Sequence, residues 1–100
     1  MAEIIISPTA KRELREIGIY TEKQWGRQQR QQYVARLNNR VLKSAEHPTY
    51  GRQRHNLPGA PYSYHEGRHV IFYRIVPNGI EVIRVLHDAV DFPRRFSREE

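Results

Sequence analysis

The residues with the most chemistry on offer lie in and around two apolar runs in the C-terminal third of the chain. Arg68 and His69 open the first run, Arg74 lies inside it, and His87 with Asp88 closes the second. Cleavage of an RNA phosphodiester needs a base at the 2′-hydroxyl, a cation for the phosphorane and an acid for the leaving oxygen. Imidazole is the side chain that serves as acid or base near neutral pH, which nominates His87, with Arg68 and Arg74 as the cations. Tyr64 and His65 precede the first run closely enough to join them. The competing reading makes both arginines solvated sheet-face charges and His87 a strand-end residue.

Other chemistries find less support. The chain has no cysteine, which excludes a thiolate nucleophile, a thiolate metal site and a disulfide scaffold. Ser7 and Ser44 have no glycine-elbow context, and Ser63 falls in a strand-like run. His47, His55, His65, His69 and His87 show no i, i+4 pair, and His87-Asp88 with Asp91 is the nearest approach to ligand spacing. No Gly-rich phosphate loop follows a strand, so neither a metal nor a cofactor is expected.

The element that must position these residues is a hairpin. His69–Val76 and Ile80–His87 are rich in β-branched and aromatic residues and flank Asn78-Gly79, a strong two-residue turn signal. With Asn78 and Gly79 at the corner, Ile75 faces Val82, Tyr73 faces Arg84 and Ile71 faces Leu86. One face then carries Ile71, Tyr73, Ile75, Ile80, Val82, Arg84 and Leu86. The other carries Arg68, Val70, Phe72, Arg74, Val76, Glu81, Ile83, Val85 and His87. Its mixture of apolar and charged residues makes it the more exposed face, and so the first place to look for function.

Upstream, Glu3–Ile6 reads as a short buried strand, stopped by Ser7 as helix N-cap and Pro8 at the first helical position. A helix to about Gln24 follows, with Ala10, Leu14, Ile17 and Thr21 as its apolar stripe. Trp25 reads as a core plug, and Gly26 ends the helix. A second helix, from about Gln28 to Glu46, uses Tyr33, Leu37, Val41 and Ser44, with Val34, Leu42 and Ala45 beside them. Its glutamine-rich first turns protrude, and the short Gly26 joint makes the two helices a hairpin. His47-Pro48 closes the second helix. A loop covers Thr49 to Gly59, and Tyr62–His65 forms a strand entered through Pro61. Glu66-Gly67 turns into the central hairpin, and Pro93 allows at most a short terminal helix turn. The order is β-α-α-β-β-β, an α+β fold with a helical hairpin packed on a twisted, mainly antiparallel sheet.

One hundred residues suit a single domain over 1–100. Ten per cent aromatics and 38% hydrophobics argue against disorder despite a mean hydropathy of -0.80. No apolar run is long enough to span a membrane, and a cytoplasmic domain is the expectation. The net charge of +6 is uneven. From Lys23 to His65 the cations Lys23, Arg27, Arg30, Arg36, Arg40, Lys43, Arg52 and Arg54 stand against Glu46 alone, which points to an acidic partner or to a well-solvated face.

The ordered series of short signatures resembles the ParE branch of the RelE/ParE toxin superfamily over nearly the whole chain. It runs through Ser7-Pro8, Tyr20-Thr21, Trp25-Gly26, Tyr33, Leu37, His47-Pro48 and Gly51-Arg52. The two strand motifs, Gly67–Arg74 and Ile83–His87 with Asp91, are its most specific part. The resemblance implies the same fold, and a role as the toxin of a type II toxin–antitoxin pair. It further implies a non-enzymatic inhibitor of DNA gyrase, silenced by the partly disordered acidic segment of a ParD-like antitoxin. Direct contact with nucleic acid stays open. On this reading Arg68, Arg74, His87, Arg94 and Arg95 form the partner-binding surface.

Two alternatives remain. RelE-type ribosome-dependent mRNA endonucleases carry a basic cluster on the sheet face, and His87, Arg68 and Arg74 would be its counterparts here. Against this, His87-Asp88-Ala89-Val90-Asp91 is acidic where a cation would help, and the late aromatic is Phe96, without a hydroxyl. Pro61-Tyr62, where the resemblance leads one to expect a basic residue, points to the other alternative, a chain drifted into a non-toxic binder of its antitoxin.

Overall fold

The computed structural model describes residues 2–98. Strand β1 (Glu3–Ile6) leads into helices α1 (Pro8–Trp25) and α2 (Arg27–Glu46), and a single 3-10 turn follows at Pro48–Tyr50. Strands β2 (Arg52–Gln53), β3 (Tyr62–Glu66), β4 (His69–Val76) and β5 (Gly79–His87) come next, then helix α3 (Phe92–Arg98). The sheet order is β1-β5-β4-β3-β2, with β1 parallel to β5 and every other pair antiparallel. The expected α+β order is present, with the two-residue β2 and the seven-residue α3 as additions.

The local chemistry explains most of the boundaries. The Ser7 hydroxyl accepts the Ala10 N–H at 3.1 Å, Pro8 fills the first turn, and Gly26 at φ 93 joins α1 to α2. Leu37, Val41, Ser44 and Ala45 of α2 are buried, as are Ala10, Ile17 and Thr21 of α1. The glutamine-rich start of α2 is exposed. Trp25 departs from expectation: it is 71% exposed. It stands at the tip of the helical hairpin, past the last buried position Thr21, and projects beside the sheet rather than into the core.

The hairpin register differs from the expected one. Val76 pairs with Gly79 and Ile75 with Ile80, so Pro77 and Asn78 form the corner. Proline suits the first corner position because its φ is already set. Gly79 serves a different need: β1 runs beside it, and a Cβ there would strike the backbone of Glu3. A second shift follows, since Tyr73 pairs with Val82 but Phe72 with Arg84, leaving Ile83 as the extra residue of a bulge. The bulge brings Val85 to the helix side with Ile71, Tyr73, Ile80 and Val82, and sends Leu86 to the other side with Val70 and Phe72.

That other side is not an exposed polar face. Val70, Phe72 and Leu86 are buried beneath Leu57, Val90, Phe92 and Phe96. Phe92 and Phe96 each meet the Phe72 ring edge-on at 5.0 Å. Arg54 lies over Phe72 and Phe92 and donates to the Ser63 hydroxyl at 2.9 Å. Helix α3 and the loop before β3 thus roof the sheet, giving a three-layer order of helices, sheet and a thin aromatic cover.

Candidate functional site

With both sheet faces covered, the cleft that brings candidate residues together is one of about 600 Å³ between the tip of the α1–α2 hairpin and the β3–β4 turn. Gly67 makes that turn possible twice over. Its φ of 60 lies in the left-handed region, and a Cβ would come within 2.6 Å of the Tyr33 ring. Tyr33, from α2, thereby reaches the floor of the cleft.

The Tyr33 hydroxyl is the hub. It accepts the Arg68 N–H at 3.0 Å, lies 2.6 Å from His69 Nδ1 and 3.3 Å from the Glu66 carbonyl. One oxygen therefore ties α2 to both sides of the turn. Burial pushes the Tyr33 phenol up, although the Arg68 hydrogen bond and the Arg36 charge oppose this. Burial, reinforced by the neighbouring His87, pushes His69 down to about 4, with Asp88 acting the other way. His69 is thus neutral at pH 7.

The cleft's rim is pinned by charge. Glu66 receives Arg36 on one carboxylate oxygen, at 2.8 Å, and Arg40 on the other, at 3.1 Å. Burial alone would raise the Glu66 carboxyl, but the hydrogen bonds and charges of these two arginines outweigh it and hold it below its ordinary range. The Asp88 N–H donates to the Arg68 carbonyl at 2.8 Å, and His65 Nε2 lies 3.0 Å from Asp88. His87 is exposed; its Nδ1 accepts the Ala89 N–H at 3.0 Å, and its ring meets His69 edge-on at 5.4 Å.

Of the residues singled out from sequence, Arg68 and His87 line this cleft together. Arg95 lies in an adjoining hollow of about 290 Å³ that also includes Tyr20 and His87. Arg94 is exposed on α3, where its N–H bonds the Asp91 carboxylate. Arg74 stands apart. Six strand residues beyond Arg68, it is roughly 20 Å away at the hairpin end. There it pairs with Glu81 at 2.6 Å and borders a separate hollow with Ser7 and Phe96. The three residues expected to share one open sheet face therefore do not. Sequence reasoning missed Tyr20, Trp25, Tyr33 and Arg36 as cleft residues. The signal was available for α2: Tyr33, Arg36 and Arg40 follow i, i+3, i+7 and share a helix face. Among the described residues no three histidines or carboxylates converge as metal ligands would, and no helix is long and apolar enough to cross a membrane.

Comparison with known proteins places these features in context. Residues 4–92 match the family model described as the ParE toxin of the type II toxin–antitoxin system parDE. Toxin ParE1 of Caulobacter vibrioides is 36% identical over 86 residues, covering 86% of this chain and 88% of that protein. Toxin ParE1 of Mycobacterium tuberculosis is 34% identical over 91 residues, covering 90% and 93%. A solved chain from the chromosomal ParDE system of P. aeruginosa shares the fold, with a TM-score of 0.73 at 16% identity, over 87% of this chain and 96% of its own.

Proposed function

The chain belongs to the ParE toxin family of type II toxin–antitoxin systems, and from that premise we propose that it inhibits DNA gyrase without itself cleaving nucleic acid, and that a ParD-like antitoxin silences it. The observation that carries the non-enzymatic part is the aromatic roof. An endonuclease of the related type needs a basic cluster on an open sheet face, whereas here Phe72, Phe92 and Phe96 fill that face. Arg74 is both remote from His87 and paired with Glu81. The acting surface in this reading is the end of the sheet bearing Arg68 and His87, with Arg95 beside it and Arg94 and Arg74 outside. Its basic character suits both the acidic segment of an antitoxin and a protein surface near DNA.

Purified gyrase with plasmid DNA tests the proposal. Adding the toxin should cause cleaved DNA to accumulate, and adding its antitoxin should reverse the effect. Arg68→Glu combined with Arg95→Glu should abolish the accumulation while leaving the thermal midpoint in place. Normal gyrase turnover together with mRNA cleavage in a translating extract would overturn the proposal in favour of RNA hydrolysis. Normal growth on induction without antitoxin would instead indicate a non-toxic binder.

A further inference from the structure

We infer that the cleft at the hairpin tip binds single-stranded nucleic acid, with a base stacked on Trp25 and the adjoining phosphate held by Arg68. The first ground is the chemistry of the lining. Trp25, Tyr20 and Tyr33 provide rings, Arg36 and Arg68 provide cations, and among the described residues no aliphatic side chain joins them. An amphipathic helix docks by inserting Leu or Ile into aliphatic holes, which this cleft does not offer. A ligand with flat π faces and regularly spaced anions matches what it does offer.

The second ground is availability. Trp25 is 71% exposed and Tyr20 62% exposed, so both rings stand open at the mouth of the cleft. Among the described residues the Arg68 guanidinium makes no ion pair, whereas Arg36 is already held by Glu66. Arg68 is also the residue whose backbone is fixed on both sides, its N–H on the Tyr33 hydroxyl and its carbonyl on the Asp88 N–H. The cation is therefore carried on a fixed turn. A volume of about 600 Å³ is within the range of small-ligand sites. A duplex keeps its bases stacked on one another, so only an unpaired strand can present a base to Trp25. The net charge of +6 adds the long-range attraction such a ligand exploits.

Trp25 is the chain's only tryptophan, so its fluorescence reports the site directly. The full chain is titrated with an oligodeoxythymidylate of about ten nucleotides, and binding is followed by tryptophan quenching and by anisotropy of a labelled strand. Saturable quenching is expected. Trp25→Ala should weaken binding roughly tenfold or more, and Arg68→Ala should also reduce the salt slope by about one. Because Trp25 is exposed, Trp25→Ala keeps the thermal midpoint, and loss of binding is then not loss of fold. Absence of quenching, or unchanged affinity of the Trp25→Ala chain, overturns the inference. So does polyglutamate that quenches Trp25 and displaces the strand at equal strength, which would make the cleft an acidic-peptide site. The titration contains no gyrase, so its failure leaves the inhibitor reading standing, and failure of inhibition leaves this one standing.

Discussion

Glu13 and Arg84 form a buried ion pair, and separating them should nearly unfold the protein. Glu13 is 8% exposed and Arg84 5%. One Glu13 carboxylate oxygen accepts Arg84 Nε at 3.0 Å and its terminal nitrogen at 2.7 Å, while the other accepts the Val85 N–H at 2.8 Å. Arg84 also donates to the Arg95 carbonyl at 3.1 Å and lies over the Phe96 ring. The pair thus joins α1, β5 and α3. Removing one partner leaves a buried charge uncompensated, at a cost of about 3–5 kcal/mol. A domain of this size has a total stability of about 5–15 kcal/mol. Glu13→Leu or Arg84→Met should therefore lower the thermal midpoint by on the order of 20 °C. Glu13→Leu with Arg84→Met removes both charges but leaves the Val85 N–H without an acceptor, at about 1–3 kcal/mol. The double variant should thus be more stable than either single one, with a coupling of about 2 kcal/mol or more. Urea unfolding of the four proteins, followed by circular dichroism, measures the cycle. Single losses below about 1 kcal/mol that simply add would refute the reasoning.

The remaining predictions concern the cleft floor and the sheet edge. His69 sits at about 4 in the fold against an ordinary 6.5, so its contribution to stability is complete above pH 6.5 and is lost as pH falls toward 4. The loss is at most about 3 kcal/mol. His69→Gln should flatten this part of the urea midpoint against pH, and an unchanged slope would remove the assignment. Gly67→Ala meets both the left-handed φ and the Tyr33 ring. It should cost about 2–3 kcal/mol and shift the His69 titration seen by NMR, because Tyr33 must move. Gly79→Ala places a methyl against the Glu3 backbone. It should detach β1, costing about 2 kcal/mol or more and speeding amide exchange at Glu3 and Ser7, whose N–H groups bond the Asn78 and Val82 carbonyls of the hairpin; full protection would contradict it.

The parts of the fold legible in sequence were those governed by local rules. Ser7-Pro8 as cap and first turn, Gly26 as joint, and the apolar spacing of both helices follow from backbone chemistry. The hairpin's existence was equally legible, yet its register was not. Asn78-Gly79 satisfies the preference for a two-residue turn, but the demand on Gly79 comes from β1, more than seventy positions earlier in the chain. The bulge at Ile83 is likewise non-local, because it serves to deliver Arg84 and the Val85 N–H to Glu13 of α1. Glu13 belongs to the helix's buried stripe, and its partner can be found only once β5 is laid beneath it. Trp25 shows the same limit in reverse: a large apolar residue at helical spacing reads as core unless the end of the sheet is known. Arg68 and His87 were found because strand ends are visible in sequence, whereas Tyr33 and Arg36 were hidden in a helix that also packs on the core.

The roof over the sheet bears most directly on the choice between inhibition and RNA cleavage. For RNA to reach the outer face, α3 would have to leave, stripping Phe92 and Phe96 from Phe72 and breaking the Arg84 bond to the Arg95 carbonyl. Exposing the buried Phe72 together with the half-buried Phe92 and Phe96 costs about 3–6 kcal/mol before the hydrogen bond is counted. The open form would then be populated at roughly one part in a hundred to one part in ten thousand. Even when open, the face would present Val70, Phe72 and Leu86, apolar side chains that offer a phosphate nothing. The cation that could serve a phosphate, Arg68, lies at the end of the sheet, where no opening is required. Any contact this chain makes with nucleic acid or with an acidic partner is therefore better placed at the hairpin tip than on the sheet. There the aromatic rings and the cation stand ready without displacing any part of the core.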